Sequence, residues 1–331
     1  MIINIKANSF SYLSGRSKKM KIAVFGAGAV GGYFGGRLTQ SNNEVIFIAR
    51  GKHLQAMKDD GLKIDSINGD FIVQPTQTTD NPDEVGFVDM VLVTVKAWQV
   101  SDAAKAMKPV VGPETFVLPL QNGVEAPSQL AAVLGSEHVL GGLCGLISYI
   151  VEPGHICHAG TDPFIKFAEL DNSRSDRTEL LLDVFERTPG ITASIPPDIN
   201  AAMWQKFLLI AAWSGLGAVT RSPIGIFRSQ PGTRQMLEQT MSEIYDVARA
   251  RDIDLPGDVV AKTMKFLDAL PSGGTASMQR DIMDGKPSEL ETQTGAVVRL
   301  GQEVGVETPV NSFIYQSLLP MEIKAQGQLT F

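Results

Sequence analysis

The chain has 331 residues, a formal charge of −7 and two cysteines, Cys144 and Cys157. That length suggests about two domains with separate cores, and an acidic balance without a basic block argues against nucleic acid as the main partner. Two cysteines make no disulfide framework, so a reducing, cytoplasmic setting fits, and no apolar run approaches the ~20 residues that cross a bilayer.

Residues 1–19 look foreign to the rest of the chain. They hold four serines with Lys6, Arg16, Lys18 and Lys19, and no Asp or Glu. They read as an upstream start or an appended stretch rather than a transit peptide, whose Arg-rich composition is only faintly present. From Lys21 the chain runs Lys-Ile-Ala-Val-Phe straight into Gly26-x-Gly28-x-x-Gly31, then a helix-compatible stretch with Tyr33, Phe34, Arg37 and Leu38. Buried strand, tight turn and helix start are the context that turns a glycine triplet into a dinucleotide site. Gly26 allows the turn, Gly28 the approach of a pyrophosphate and Gly31 close helix–strand packing, with Ala27, Ala29 and Val30 completing the loop. The first helical N–H groups and the positive dipole end then face the phosphates.

Glu44–Arg50 reads as the second strand and residues 52–60 as a short helix. An NAD-selective site places an acid at the far end of that strand, on the ribose 2′-hydroxyl. Glu44 stands at the wrong end, whereas Arg50 occupies the right one with Lys52 close by. A cation there suits a 2′-phosphate, so the spacing favours NADPH. FAD is the other dinucleotide option, but no second flavin signature is present.

Further along, Ile64 to Val73 alternates around Asn68-Gly69 like a hairpin. Val88–Val95 and Thr115–Leu120 are buried strands, and Val139 onward continues strand-like. Pro153-Gly154 makes a turn before shorter strands at Ile156–His158 and Phe164–Phe167. His155, Cys157 and His158 invite a metal reading, but strand alternation separates His158 from the other two and no fourth ligand stands near; no metal is expected. Strands alternating with helices up to about Pro196 predict an open, mainly parallel, doubly wound sheet of Rossmann type. Beyond Pro196-Pro197, residues 199–213, 232–251, 256–270, 275–284, 288–304 and 310–321 read as helices. The expected organisation is an extension at 1–19, a nucleotide-binding α/β domain at 20–196 and an all-helical domain at 197–331.

Several motifs recur in one order along residues 20–321. They are the 26–31 glycine turn, Leu92-Val-Thr-Val-Lys-Ala-Trp-Gln99, Leu120-Gln-Asn-Gly-Val124, Trp204-Gln-Lys-Phe207, Ser277-Met-Gln-Arg-Asp281, Gly285-Lys-Pro-Ser-Glu289 and Thr308-Pro-Val-Asn311. On these the chain resembles the ketopantoate reductase (2-dehydropantoate 2-reductase) family.

The resemblance implies NADPH-dependent reduction of a small 2-oxo acid, 2-dehydropantoate first among them, with Lys206 as the proton donor to the carbonyl oxygen. Ketone reduction by hydride needs such an acid, because the developing alkoxide must be neutralised or stabilised. By the same resemblance Lys96 contacts the cofactor, Asn122 both cofactor and substrate, Ser277 the substrate carboxylate, and Glu289 the junction of the two. A homodimer through the helical domain fits this reading.

In the family pattern asparagines stand four and eight residues after the lysine, facing the substrate. Here Ile210 and Ser214 take those places, so the substrate wall has lost amide donors and gained an apolar side chain. A different 2-oxo acid is therefore the chief alternative, and a non-catalytic NADPH sensor a further one.

Overall fold

The computed structural model describes residues 19–74 and 77–328; apart from Lys19, the expected 1–19 extension lies outside them. The fold opens with β1 (Lys21–Phe25), α1 (Ala29–Thr39), β2 (Glu44–Ile48) and α2 (Gly51–Asp60). A hairpin follows, β3 (Leu62–Ser66) and β4 (Phe71–Val73), with Gly69 in its turn at φ +94°. Then come β5 (Gln77–Thr79), β6 (Val88–Val93), α3 (Val100–Ala106), β7 (Val111–Pro119) and α4 (Ala126–Leu134). β1 pairs in parallel with β2 on one side and β6 on the other. Both its faces are covered, which is why its sequence is continuously apolar rather than alternating.

Five strands form an all-parallel sheet in the order β5-β2-β1-β6-β7. The remaining strands, β8 (Leu140–Glu152), β9 (His155–Glu169) and β10 (Thr192–Ser194), with α5 (Asp176–Glu186) between the last two, do not extend it. They build a second, mixed sheet, β10-β9-β3-β4, with β8 antiparallel along β9. The single open sheet expected up to Pro196 is thus two sheets. Likewise, the two short strands expected at 156–158 and 164–167 are parts of the one long β9. α1 is packed between the sheets, with Tyr33, Phe34 and Leu38 in a core shared with Val24, Phe47, Ile156 and Phe167.

The helical part begins with α6 (Ile199–Thr220), whose N-cap Asp198 accepts the Ala201 N–H at 3.0 Å. After it come α7 (Ile224–Phe227), α8 (Pro231–Ala250), α9 (Val259–Ala269) and α10 (Ser277–Met283). A π-turn at Glu291–Gly295 then leads into α11 (Ala296–Val304), and α12 (Pro309–Ala325) closes the domain. Among the described residues no strand follows Ser194, and no helix is long and apolar enough to cross a membrane. α6 runs seven residues beyond its expected end at 213, through Gly215 and Gly217. A Cβ on Gly217 would stand 2.6 Å from Gln279 Oε1, so the glycine lets α10 lie against the helix. That packing outweighs the poor helix propensity of the residue.

α2 is tied to the β8–β9 turn by His53, whose Nδ1 accepts the Gly154 N–H at 3.1 Å. Burial holds this imidazole below its ordinary pKa, partly offset by the Ala27 carbonyl. The folded state therefore keeps His53 neutral where the unfolded chain takes up a proton. Its contribution is complete above about pH 6.5 and is lost as pH falls toward the lower folded value. Urea unfolding across pH 7.5 to 5.5 should show stability declining below about pH 6.5, and His53→Gln should make that decline shallower. Identical slopes in the two proteins would remove His53 from the account.

Candidate active site

The strand order reverses at β1, which lies between β2 and β6, and the loops at the C-terminal edge there form the crevice where such sheets hold ligands. The glycine turn stands at that edge. Gly26 has φ +99°, and a Cβ on it would lie 2.7 Å from the Val95 backbone. A Cβ on Gly31 would fall 2.2 Å from Thr94 Oγ1, which itself donates to the Gly26 carbonyl at 2.8 Å. Gly28 is different: nothing lies within 4 Å of where its Cβ would stand, and no side chain caps α1. Two glycines are thus demanded by packing, and the third borders open space beside the helix N-terminus. That arrangement fits a dinucleotide pyrophosphate. Ala27 is buried with its N–H on the Ile48 carbonyl, while Ala29 and Val30 start the helix.

Arg50 is exposed just past β2 at the same edge, and among the described residues it makes no ion pair. Glu44 is at the opposite edge, beside Lys21.

Two further loops reach this edge. Lys96 follows β6, and its Nζ lies 2.8 Å from Asp281 Oδ2 on α10. Asn122 follows β7 and donates through Nδ2 to Glu289 Oε2 at 3.3 Å. Glu289, only 6 % exposed, also accepts the Ala97 N–H at 3.2 Å and Gln293 Nε2 at 3.2 Å. Arg299 of α11 forms a two-pronged pair with Glu125, at 2.8 and 2.9 Å. The helical part is therefore joined to the loops after β6 and β7 through Glu289, Lys96–Asp281 and Arg299–Glu125.

Lys206 lies on α6, half-buried and without an ion pair among the described residues. Its charge is felt at Cys144 of β8. Burial pushes that thiol's pKa up and the Lys206 charge pulls it back, while Sγ donates to the Leu120 carbonyl at 3.6 Å. α6 packs on β8, and Val124 of the loop that carries Asn122 packs against the cluster holding Ile199 and Met203 of α6, so the helix and that loop are neighbours.

A helix turns about 100° per residue, so the exposure pattern of α6 can be unrolled around Lys206. Ala202, Lys206, Leu209, Ile210 and Trp213 are all half-buried and share one stripe. Met203, Phe207 and Ser214 sit on its covered flank, and Ser214 is fully buried with its hydroxyl unpartnered. Ile210 therefore lies on the lysine's stripe, whereas Ser214 lies on the flank.

Trp213 escaped the sequence reading, although seven residues on from Lys206 is only about 20° around the helix, against about 80° for Ser214. Ser277 is half-buried at the start of α10, and its hydroxyl has no hydrogen bond among the described residues. As for the histidines, His155 Nε2 meets Asp65 at 2.7 Å and His158 Nδ1 meets Ser66 Oγ at 2.8 Å. No cluster of three or more metal-binding side chains occurs among the described residues. A wider recess of about 440 Å³ at the α11–α12 turn, lined by Val306, Glu307, Thr308 and Ser312, includes neither the glycine turn nor Lys206.

Comparison with known proteins bears on this geometry. Residues 22–172 match the family described as "Ketopantoate reductase PanE/ApbA", and residues 198–322 match its C-terminal counterpart. The chain belongs to the ketopantoate reductase family. Among its relatives, a 2-dehydropantoate 2-reductase of Nostoc sp. is 28% identical over 94% of this chain and 98% of its own length. The oxidoreductase YkpB of Bacillus subtilis is 29% identical over 90% of this chain and 98% of its own. A crystal structure of a PanE/ApbA family ketopantoate reductase from Ralstonia eutropha JMP134 superposes with a TM-score of 0.84 at 31% identity, covering 93% of this chain and all of that one. The protein is an oxidoreductase of a family that uses NAD(P)H.

Glu289→Gln tests the junction. It sets an amide NH₂ against groups that now donate to a carboxylate, and an unmatched buried donor costs about 1–3 kcal/mol. Urea unfolding should show a loss of that size, with kcat/KM falling as Asn122 is released. An unchanged midpoint would mean that the carboxylate does not hold the junction.

Proposed function

We propose that the protein catalyses the NADPH-dependent reduction of 2-dehydropantoate to pantoate. The observation that carries this reading is the placement of Lys206. It is an unpaired, half-buried side chain on the helix that packs beside the loop of Asn122, at the edge of a parallel sheet whose glycine turn borders open space at Gly28. In this reading the first N–H groups of α1, at Ala29, Val30 and Gly31, hold the pyrophosphate where Gly28 leaves it room, and Arg50 meets the 2′-phosphate. NADPH, when bound, supplies the hydride that goes to the ketone carbon. Lys206 Nζ gives its proton to the keto oxygen, so the product leaves as a neutral alcohol rather than an alkoxide. Asn122 orients the reactants, Ser277 takes the substrate carboxylate, and Lys96 and Glu289 hold the loops that frame the cofactor. The joined domains exclude water from the transfer.

The enzyme would act in the cytoplasm. A homodimer through the helical domain belongs to the same reading, supported by exposed Phe266 and Phe313. A second reading, the same chemistry on another small 2-oxo acid, is favoured by Ile210, which puts an apolar side chain on the lysine's stripe. A non-catalytic NADPH sensor would tolerate loss of Lys206. Following NADPH absorbance against a panel of 2-oxo acids separates these readings.

Two substitutions test the assigned roles. A charge-assisted contact to the 2′-phosphate contributes ~1.5–3 kcal/mol. Arg50→Ala should therefore weaken NADPH about ten- to a hundredfold and leave NADH nearly untouched. Equal affinity of the unmutated protein for both cofactors would end the NADPH assignment. Lys206→Ala should lower kcat by at least ~10²-fold with NADPH binding retained, and nearly normal turnover would require another proton source.

A further inference from the structure

We propose that Trp213 is the residue by which the site reads its substrate. Its indole N–H donates to the hydroxyl oxygen of the hydroxymethyl group that 2-dehydropantoate carries on the branched carbon beside its ketone. This rests on the proposed reductase activity and adds the residue that selects among acids of that class.

Four observations converge on Trp213. It lies about 20° around α6 from Lys206, nearer than Ile210 or Ser214, and on the half-buried stripe rather than the covered flank. Its Nε1 is buried and has no hydrogen-bond partner among the described residues. A buried donor left unpaired is costly, and a ligand oxygen would satisfy it. Its Cζ2, on the indole edge next to Nε1, lies 3.4 Å from where a Cβ on Gly274 would stand. The indole therefore lies beside the loop that runs through Thr275 and Ala276 to Ser277, the residue assigned to the substrate carboxylate. Along the helix axis Trp213 is about 10 Å from Lys206, a separation that a small acid bridges together with the reach of two side chains.

The chemistry narrows the ligand further. Ile210 and Ser214 stand where the family carries asparagine amides, which both donate and accept. An indole N–H only donates, so the group it recognises must offer an acceptor oxygen. Ile210 beside it can accept only apolar surface, such as methyl groups on the carbon next to the ketone. The site thus suits a 2-oxo acid whose branched apolar carbon carries one oxygen.

The test compares 2-dehydropantoate with 3-methyl-2-oxobutanoate, which carries a hydrogen in place of the hydroxymethyl group and so offers no oxygen there. The unmutated enzyme should favour the first in kcat/KM. Trp213→Phe, which keeps the ring and removes the N–H, should raise KM for 2-dehydropantoate about 3- to 10-fold. KM for 3-methyl-2-oxobutanoate, kcat and NADPH affinity should stay unchanged. Trp213→Tyr, which restores a donor, should recover part of the discrimination. Equal losses on both acids, or none on either, overturn the assignment. Should Trp213→Phe fail to fold, the unmutated enzyme decides: comparable kcat/KM for the two acids overturns the proposal and clear preference for 2-dehydropantoate supports it. Absence of turnover on both acids would instead overturn the proposed function, and this assignment with it.

Discussion

A carboxylate that is almost wholly buried must be surrounded by donors or be neutralised, and Glu289 is surrounded. Its three N–H partners come from the loop after β6, the loop after β7 and the π-turn before α11. Two of these belong to the parallel sheet's C-terminal edge and one to the helical part. The acid is satisfied in one relative placement of the two domains, and leaving it short of donors in any other costs more than a surface contact returns. Lys96–Asp281 and Arg299–Glu125 flank it, but these pairs keep substantial solvent contact and are individually weak. They guide the approach of the domains, while Glu289 sets where it ends.

Once that placement is fixed, the two lysines of the cleft are separated by their partners. Lys96 is committed to Asp281, so its charge is used in joining loops. Lys206 meets no carboxylate. Its neighbour Cys144 is kept protonated by burial, so it supplies no counter-charge that would hold the ammonium back. The proton donor of the proposed mechanism has to be free to turn toward the developing alkoxide, and the difference between the two lysines lies in what the fold has placed beside each.

The parallel sheet, the glycine turn and most helices were legible because each carries its own period. β1 and β6 are continuous apolar runs, and Gly26 to Gly31 follow β1 in the order a nucleotide turn needs. What periodicity does not encode is the identity of a strand's partner. β3, β8 and β9 alternate well enough to be recognised as strands, and β8 meets β9 as a local hairpin, yet joining β3 to β9 in a second sheet depends on contacts between residues some ninety positions apart. β5 and α7 are too short to carry a period at all. In the proposed site, Lys206 carries a signal in its surrounding motif. Trp213 carries none, because its place beside the lysine follows from the angle around the helix and not from the positions that asparagine occupies in the family. The Arg299–Glu125 pair links positions in different domains, and neither residue has a local signature.

α6 explains why the site lies where it does. Along most of its circumference the helix is covered, by β8, α8, α10 and α12, so it is apolar nearly all round, as a central helix must be. The stripe through Ala202, Lys206, Ile210 and Trp213 keeps partial access, and Gln205, about 100° around from the lysine, is exposed. A residue that is to touch a ligand beside Lys206 must fall on the lysine's stripe, and a helical period allows few positions to do so. A polar side chain placed eight residues beyond the lysine lands on the covered flank, as Ser214 does with its hydroxyl unpartnered. One placed seven beyond stays on the stripe. On the proposed function, Ile210 and Trp213 are therefore the positions of this helix best placed to bear on substrate choice, while Ser214 belongs to its packing.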